Sequence, residues 1–388
     1  MKTILLAISG SISFYKSYEL ISLFKKEKFK VKILLSNGVL KFVSKISFEA
    51  LADEVLCEEN ESWLNNNNHI SFTKDCDLIL LAPASINSIN KLAYGIADNL
   101  FMQTLIASNS TLIIAPAANT KMFLHFSIQK SLQILEKNNI KIIYPISKTL
   151  ACKEEGIGAL ADIDTIFNFC KRELLKKDFW QNKKIIITCG NTKEKIDDVR
   201  YISNFSSGKM AKSIADAFYF LGADVVLLSS IEFKTNYIIE YFATSNELKK
   251  LMQKYYNGDF LIMTAAVSDF IPIYKNGKIK KANYPNGFDL RLQPNEDLIC
   301  DIKFNGKKIG FKMELDTKKA IDIAKESLIN KKLDMICLNI LENDNYFGSD
   351  LNQLYFITKN HCIKSEMISK KDLAFLLVDF CEKLQEHK

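Results

Sequence analysis

At 388 residues the chain is too long for one ordinary hydrophobic core and suits two domains in series. Hydrophobic residues make up 48% and charged residues 25%, a globular balance that excludes a disordered or fibrous chain. The net charge of +7 is divided evenly, +4 over residues 1–177 and +3 over the rest, so neither half is a basic arm for nucleic acid.

Met1-Lys2 and the apolar run 3–8 imitate a signal peptide, but the run is short and no small-residue cleavage site follows. It is predicted to be a first β-strand. No apolar run in the chain is long enough to span a bilayer. Further strand-like runs fall at 31–35, 78–81, 112–115 and 140–144. Helical periodicity lies between them at 15–26, at 87–100 (interrupted by Gly95) and at 127–138. A charged stretch, 171–184, carries Trp180 and places the domain boundary near 177–183, giving domains 1–177 and 183–388. Strands then resume at 184–188, 224–229, 260–265, 308–311, 335–338 and 354–358, with helices at 209–221, 317–330 and 371–383. Strands apolar on both faces, alternating with helices, predict an α/β chain of two doubly wound, Rossmann-like parallel-sheet domains. Ligands of such sheets bind at the carboxyl ends of the strands. Nine cysteines without a repeated CxxC or Cys/His spacing argue against a disulfide framework or a zinc site, and suit the cytoplasm.

The first strand-to-helix turn, Ser9-Gly10-Ser11-Ile12-Ser13-Phe14-Tyr15-Lys16, offers hydroxyls and backbone N–H groups to an anion. It lacks GxGxxG, and the second strand ends in Ser36-Asn37 rather than an acidic residue. That pattern favours a mononucleotide phosphate over a dinucleotide. Three more segments follow strands or carry a loop: Ala82-Pro83-Ala84-Ser85 with Asn87, Pro116-Ala117-Ala118-Asn119, and Ala151-Cys152-Lys153-Glu154-Glu155-Gly156-Ile157-Gly158.

Together these segments resemble the flavoprotein family of cysteine decarboxylases. The resemblance implies FMN bound around Gly10, Ser11, Ile12, Ser36, Ala84, Ser85 and Asn87. It implies a catalytic histidine at His69, a carboxylate-holding asparagine at Asn119 and an active-site cysteine at Cys152. A cysteinyl carboxylate has no electron sink for decarboxylation; in this family the flavin first oxidises the thiol-bearing carbon, and the enethiol left after carbon dioxide departs is protonated and reduced back. Imidazole suits proton handling near neutral pH, and asparagine holds a carboxylate without opposing its loss. The chain departs from the family pattern at Ala118, Phe123, Lys153 and Ala159-Leu160, positions that bear on lid closure and substrate fit.

In the second half, Asp197-Asp198-Val199-Arg200-Tyr201-Ile202-Ser203-Asn204-Phe205-Ser206-Ser207-Gly208-Lys209-Met210 is the longest motif. Gly208-Lys209 invites a P-loop, but Ser203 and Met210 occupy positions that a P-loop gives to Gly and Ser or Thr. The stretch resembles the phosphopantothenate–cysteine ligases, as do residues 265–270, Lys278-Ile279-Lys280-Lys281, Gly310-Phe311 and residues 347–352. The resemblance implies activation of a carboxylate by CTP as an acyl-cytidylate, then aminolysis by L-cysteine. It implies Lys278 on the triphosphate and Asn204 with Arg200 on the activated carboxylate. Ser207, Gly208, Lys209, Ala265, Asp269, Asn295, Asp297, Phe311 and Lys331 are implied for CTP or substrate, with Mg²⁺ held mainly through the phosphates. Ser327 stands where some members have lysine, and Lys312-Met313 replace a small pair.

The order of halves is that of the bacterial bifunctional coenzyme A biosynthesis proteins. It implies 4′-phosphopantothenate, L-cysteine and CTP as partners, with neither nucleic acid nor membrane. It also implies a homo-oligomer, a dodecamer of decarboxylase trimers joined by ligase dimers. Two other readings are a flavin-binding subunit that inhibits phosphatases, against which the retained His69, Asn119 and Cys152 and an intact ligase half argue, and a ligase fused to an inactive flavoprotein half, which the altered lid residues suggest. Carbon dioxide release from phosphopantothenoylcysteine separates all three.

Overall fold

The computed structural model describes residues 1–149, 153–315, 318–340 and 349–386. Its contacts divide the chain into two compact units, Met1–Leu174 and Leu175–Lys388.

In the first unit, six parallel strands form one sheet: β1 (Thr3–Ile8), β2 (Lys30–Leu35), β3 (Glu54–Leu56), β4 (Leu78–Ala84), β5 (Thr111–Pro116) and β6 (Lys141–Ile142), in the order β3-β2-β1-β4-β5-β6. Every residue of β1 and β4 is buried, as strands covered by helices on both faces require. The order reverses between β1 and β4, which opens a crevice at their carboxyl ends. Two helices begin differently from their sequence expectation. The segment expected to be one helix from Tyr15 opens as a 3₁₀ turn, Ile12–Lys16, capped by the Ser11 hydroxyl, and becomes α-helical at Ser17–Lys26. The helix expected over 87–100 is two, Ile86–Ala93 and Leu100–Ile106, because Asn99 caps a new start by accepting from the Met102 N–H at 2.9 Å.

The second unit holds an eight-stranded sheet in the order Ile238–Tyr241, Asp224–Ser229, Lys184–Cys189, Phe260–Met263, Lys307–Glu314, Met335–Ile340, Tyr355–Ile357 and Cys362–Lys364. The first six are parallel. Tyr355–Ile357 pairs antiparallel with Met335–Ile340, which corrects the all-parallel expectation, and it forms with Cys362–Lys364 an antiparallel hairpin, closed by the Thr358 N–H to His361 carbonyl bond at 2.9 Å, that needs no helical crossover. Trp180 is fully buried against Phe218 and Phe260, with ring centroids 5.0 and 5.5 Å away. Lys177 pairs with Asp379 at 3.0 Å and Glu382 at 2.9 Å. These contacts put the start of the charged stretch's second part, from Leu175 onward, in the second unit.

Among the described residues all eight cysteines are unpaired, and none of the His, Cys, Asp and Glu side chains gather into a metal site. Burial pushes the Cys189 thiol up to about 11. No described helix is long and apolar enough to cross a membrane.

Candidate functional site

In the first unit the parallel strands put the loops after β1, β2, β4 and β5 along one edge of the sheet. The first turn and the turn after β2 touch backbone to backbone: a Cβ on Gly10 would stand 2.9 Å from Gly38. The Ser9 hydroxyl donates to the Pro83 carbonyl at 2.6 Å and accepts from the Ser85 N–H at 2.6 Å, locking the β1 and β4 turns together. Ser85 caps the helix that follows, Asn87 is exposed in its first turn, and Ile12 is exposed on the 3₁₀ turn. Ser36 accepts from the Val39 N–H at 3.3 Å, and Ala84 is buried at the end of β4. The hydroxyls of Ser9, Ser36 and Ser85, the Asn87 amide and backbone N–H groups supply neutral donors at this edge, and neither the 3₁₀ turn nor the helix after β4 has an acidic residue in its first turn. That donor set fits a phosphate monoester carried by a polar ring.

Asn119 leaves β5 and caps the short helix Thr120–Phe123, accepting from the Lys121 N–H at 2.9 Å. Its amide donates to Glu154 at 3.3 Å, a residue of the loop joining Ile146–Thr149 to Glu155–Ala159, which pair as an antiparallel hairpin. The hairpin lies on the Asn119 loop because Gly156 and Gly158 lack side chains. A Cβ on Gly156 would meet the Thr120 hydroxyl at 2.3 Å, and one on Gly158 the Ala118 carbonyl at 2.2 Å. Gly158 also has φ +149°, so Gly158→Ala should cost roughly 1–3 kcal/mol and push the hairpin off Asn119. The expected result is a lowered Tm and slowed carbon dioxide release with the flavin retained; an unchanged rate contradicts the packing role. Cys152 lies outside the described residues.

His69 follows a tight turn in which Ser62 and Asn67 exchange two backbone hydrogen bonds. Asn68, buried, accepts from the Ile70 and Ser71 N–H groups, so the asparagine-rich run is an ordered turn that aims His69. Its Nδ1 is buried, has no hydrogen-bond partner and stands 3.6 Å from Glu61, while the ring packs edge-on against Trp63. No hydrogen bond joins His69 to Asn119 among the described residues.

In the second unit a cavity of about 630 Å³ opens at the carboxyl ends of Lys184–Cys189, Phe260–Met263, Lys307–Glu314 and Met335–Ile340. It is lined by Ser207, Gly208, Lys209, Ala265, Asp269, Asn295, Asp297, Phe311 and Lys331, so the structure brings these nine expected residues together. Lys331 pairs with Asp297 at 2.8 Å, and the Asn295 amide donates to the Ser268 carbonyl at 2.8 Å. Gly208 caps the helix Lys209–Phe220, whose first turn faces the cavity. Ser327 and Lys312 also line it, Lys312 paired with Glu314 at 3.2 Å.

Three expected residues are not in the lining. Asn204 stands beside it, its amide donating to the carbonyl of the lining residue Val267 at 3.2 Å. Lys278 is exposed on a loop whose neighbours are fixed: the Gly277 N–H donates to Asp198 and the Ile279 N–H to Asp197, each at 3.0 Å. The Arg200 guanidinium is already engaged, by Asp197 at 2.6 Å and by the Ile279 carbonyl at 2.6 Å. The Ile279 N–H and Arg200 hold the buried Asp197 carboxyl well below the usual carboxylate range. Its clamp is therefore complete above the ordinary carboxylate pKa and is lost only as pH falls through the depressed value. Arg200 thus braces the Lys278 loop instead of pointing a free fork at a substrate. Lining residues that sequence reasoning missed are Asn339, Asn352 and Lys370. Asn352 belongs to the 347–352 motif, whose resemblance implies no role for it.

Residues 1–175 match the flavoprotein family, and residues 180–384 match the C-terminal domain of the DNA/pantothenate metabolism flavoproteins. The chain is 35% identical to the coenzyme A biosynthesis bifunctional protein CoaBC of Borreliella burgdorferi, covering 96% of this chain and 97% of that one. The chain belongs to the bifunctional coenzyme A biosynthesis family. The Haemophilus influenzae member is 32% identical (97% of this chain, 96% of that one) and the Bacillus subtilis member 31% (96% and 95%). Family membership therefore extends through both units, the flavoprotein half coming first.

Proposed function

We propose that the chain is a bifunctional enzyme that converts 4′-phosphopantothenate and L-cysteine into 4′-phosphopantetheine, with one step in each unit. The second unit acts first. The observation that carries it is the gathering of Ser207–Lys209, Asn295, Asp297, Phe311 and Lys331 around one nucleotide-sized cavity. A carboxylate is a poor electrophile, so its oxygen attacks the α-phosphate of CTP, forming an acyl-cytidylate and releasing pyrophosphate. The amine of cysteine then attacks the acyl carbon, the amide forms and CMP leaves. Lys278 and Mg²⁺, the latter held by the triphosphate, offset the charge of two polyanions brought together. Asn204 holds the acyl end.

The first unit then removes the cysteinyl carboxylate as carbon dioxide. Bound FMN supplies the two-electron acceptor and donor that this redox-neutral decarboxylation requires. Gly10, Ser11, Ile12, Ser36, Ala84, Ser85 and Asn87 hold it at the β1–β4 crevice. Asn119 orients the carboxylate through a neutral amide, His69 moves a proton in the early steps and Cys152 returns one to the enethiolate. We place the enzyme in the cytoplasm as a homo-oligomer, probed by mass measurement for a dodecamer.

The purified full chain should be yellow and release FMN, one per chain, on heating. Release of FAD, or a folded colourless chain that takes up no added FMN, contradicts the flavin reading.

A further inference from the structure

Lys370 opens the last helix, Lys370–Glu386, and lines the cavity of the second unit beside Lys209. The proposed mechanism leaves it without a role. Its ammonium donates to the Ser349 carbonyl, and among the described residues it makes no ion pair. Lys209 pairs at 2.7 Å with Asp350, whose side chain is 87% exposed. Burial lowers the Lys370 pKa, and the neighbouring Lys209 lowers it further. Two lysines, Lys209 and Lys370, thus line one cavity, and the Asp350 carboxylate that pairs with Lys209 is itself solvated.

An arrangement that crowds like charges costs energy until an anion enters, and the proposed reaction brings two phosphate-bearing molecules to this cavity. Resting on that ligase reading, we propose that Lys370 and Lys209 form a seat for a terminal phosphate, and that Lys370 positions the substrate through it. The same chemistry is presented by the phosphate monoester of the acid and by the terminal phosphate of CTP. Asp350 competes for Lys209 and sets how tightly the seat holds its anion.

The test is steady-state ligase kinetics on the full chain, varying 4′-phosphopantothenate and CTP separately, for Lys370→Gln, Lys370→Arg and Asp350→Asn. Lys370→Gln keeps an N–H donor for the Ser349 carbonyl but removes the charge. It should raise the KM of one phosphate-bearing substrate about ten-fold or more, with kcat changed far less. Lys370→Arg should restore most of that loss, and Asp350→Asn should lower the same KM. A rise confined to the acid assigns the seat to its phosphate monoester; a rise confined to CTP assigns it to the nucleotide. If KM values for both substrates stay at the wild-type level in Lys370→Gln, or if Lys370→Arg is as impaired as Lys370→Gln, the seat is refuted. An inactive wild-type chain would instead refute the ligase reading, so the two failures are distinguishable.

Discussion

His69→Asn should abolish carbon dioxide release from phosphopantothenoylcysteine while leaving the flavin spectrum intact. General acid–base groups contribute about 10²–10⁴-fold, and the asparagine amide has no titrating nitrogen to replace the imidazole. The turn that presents residue 69 is built by the Ser62–Asn67 pair and by the Asn68 side chain, none of which the substitution touches. Loss of activity would therefore report lost proton handling and not a collapsed loop. Cys152→Ser is expected to differ in kind: carbon dioxide should still appear, but the final aminothiol should not. Equal loss of carbon dioxide release in both variants would refute this division of labour, and retention in His69→Asn would remove His69 from the chemistry.

Lys278→Gln should cripple formation of the acyl-cytidylate. The Arg200–Asp197 clamp and the two backbone bonds flanking position 278 fix the loop independently of the lysine side chain. On the proposed mechanism the variant loses one positive charge offered to the triphosphate, roughly 1.5–3 kcal/mol, or about one to two decades in rate if felt in the transition state. Asn204→Asp should separate the half-reactions. Its new carboxylate would face the Val267 carbonyl that the amide now contacts, and would repel electron density at the acyl-phosphate. Pyrophosphate should still be released, while aminolysis slows and acyl-cytidylate accumulates. Pyrophosphate and CMP, measured with and without cysteine, check both variants. Normal pyrophosphate release by Lys278→Gln, or none by Asn204→Asp, would overturn these roles.

The parts of the fold that sequence made legible are those whose pattern is local. Runs such as 4–8 and 78–81 are short and apolar at consecutive positions, as strands of a sheet covered on both faces are, and they lie in β1 and β4. Gly156 and Gly158 were visible as a loop motif, but the reason for them, contact with Thr120 and Ala118, needed coordinates. The run at 354–358 has the same apolar pattern whichever way its strand points, so its antiparallel direction was not readable. Arg200 looked available because its partners include the Ile279 carbonyl, 79 positions along the chain. Lys370 was hidden for a related reason. A lysine at a helix start reads as a solvated charge until burial and Lys209 are seen beside it.

The most direct test of the whole account is product stoichiometry from the purified full chain given 4′-phosphopantothenate, L-cysteine, CTP and Mg²⁺. The account predicts 4′-phosphopantetheine, with one pyrophosphate, one CMP and one carbon dioxide for each molecule formed, and no added redox partner. Accumulation of phosphopantothenoylcysteine with pyrophosphate and CMP but without carbon dioxide would contradict it.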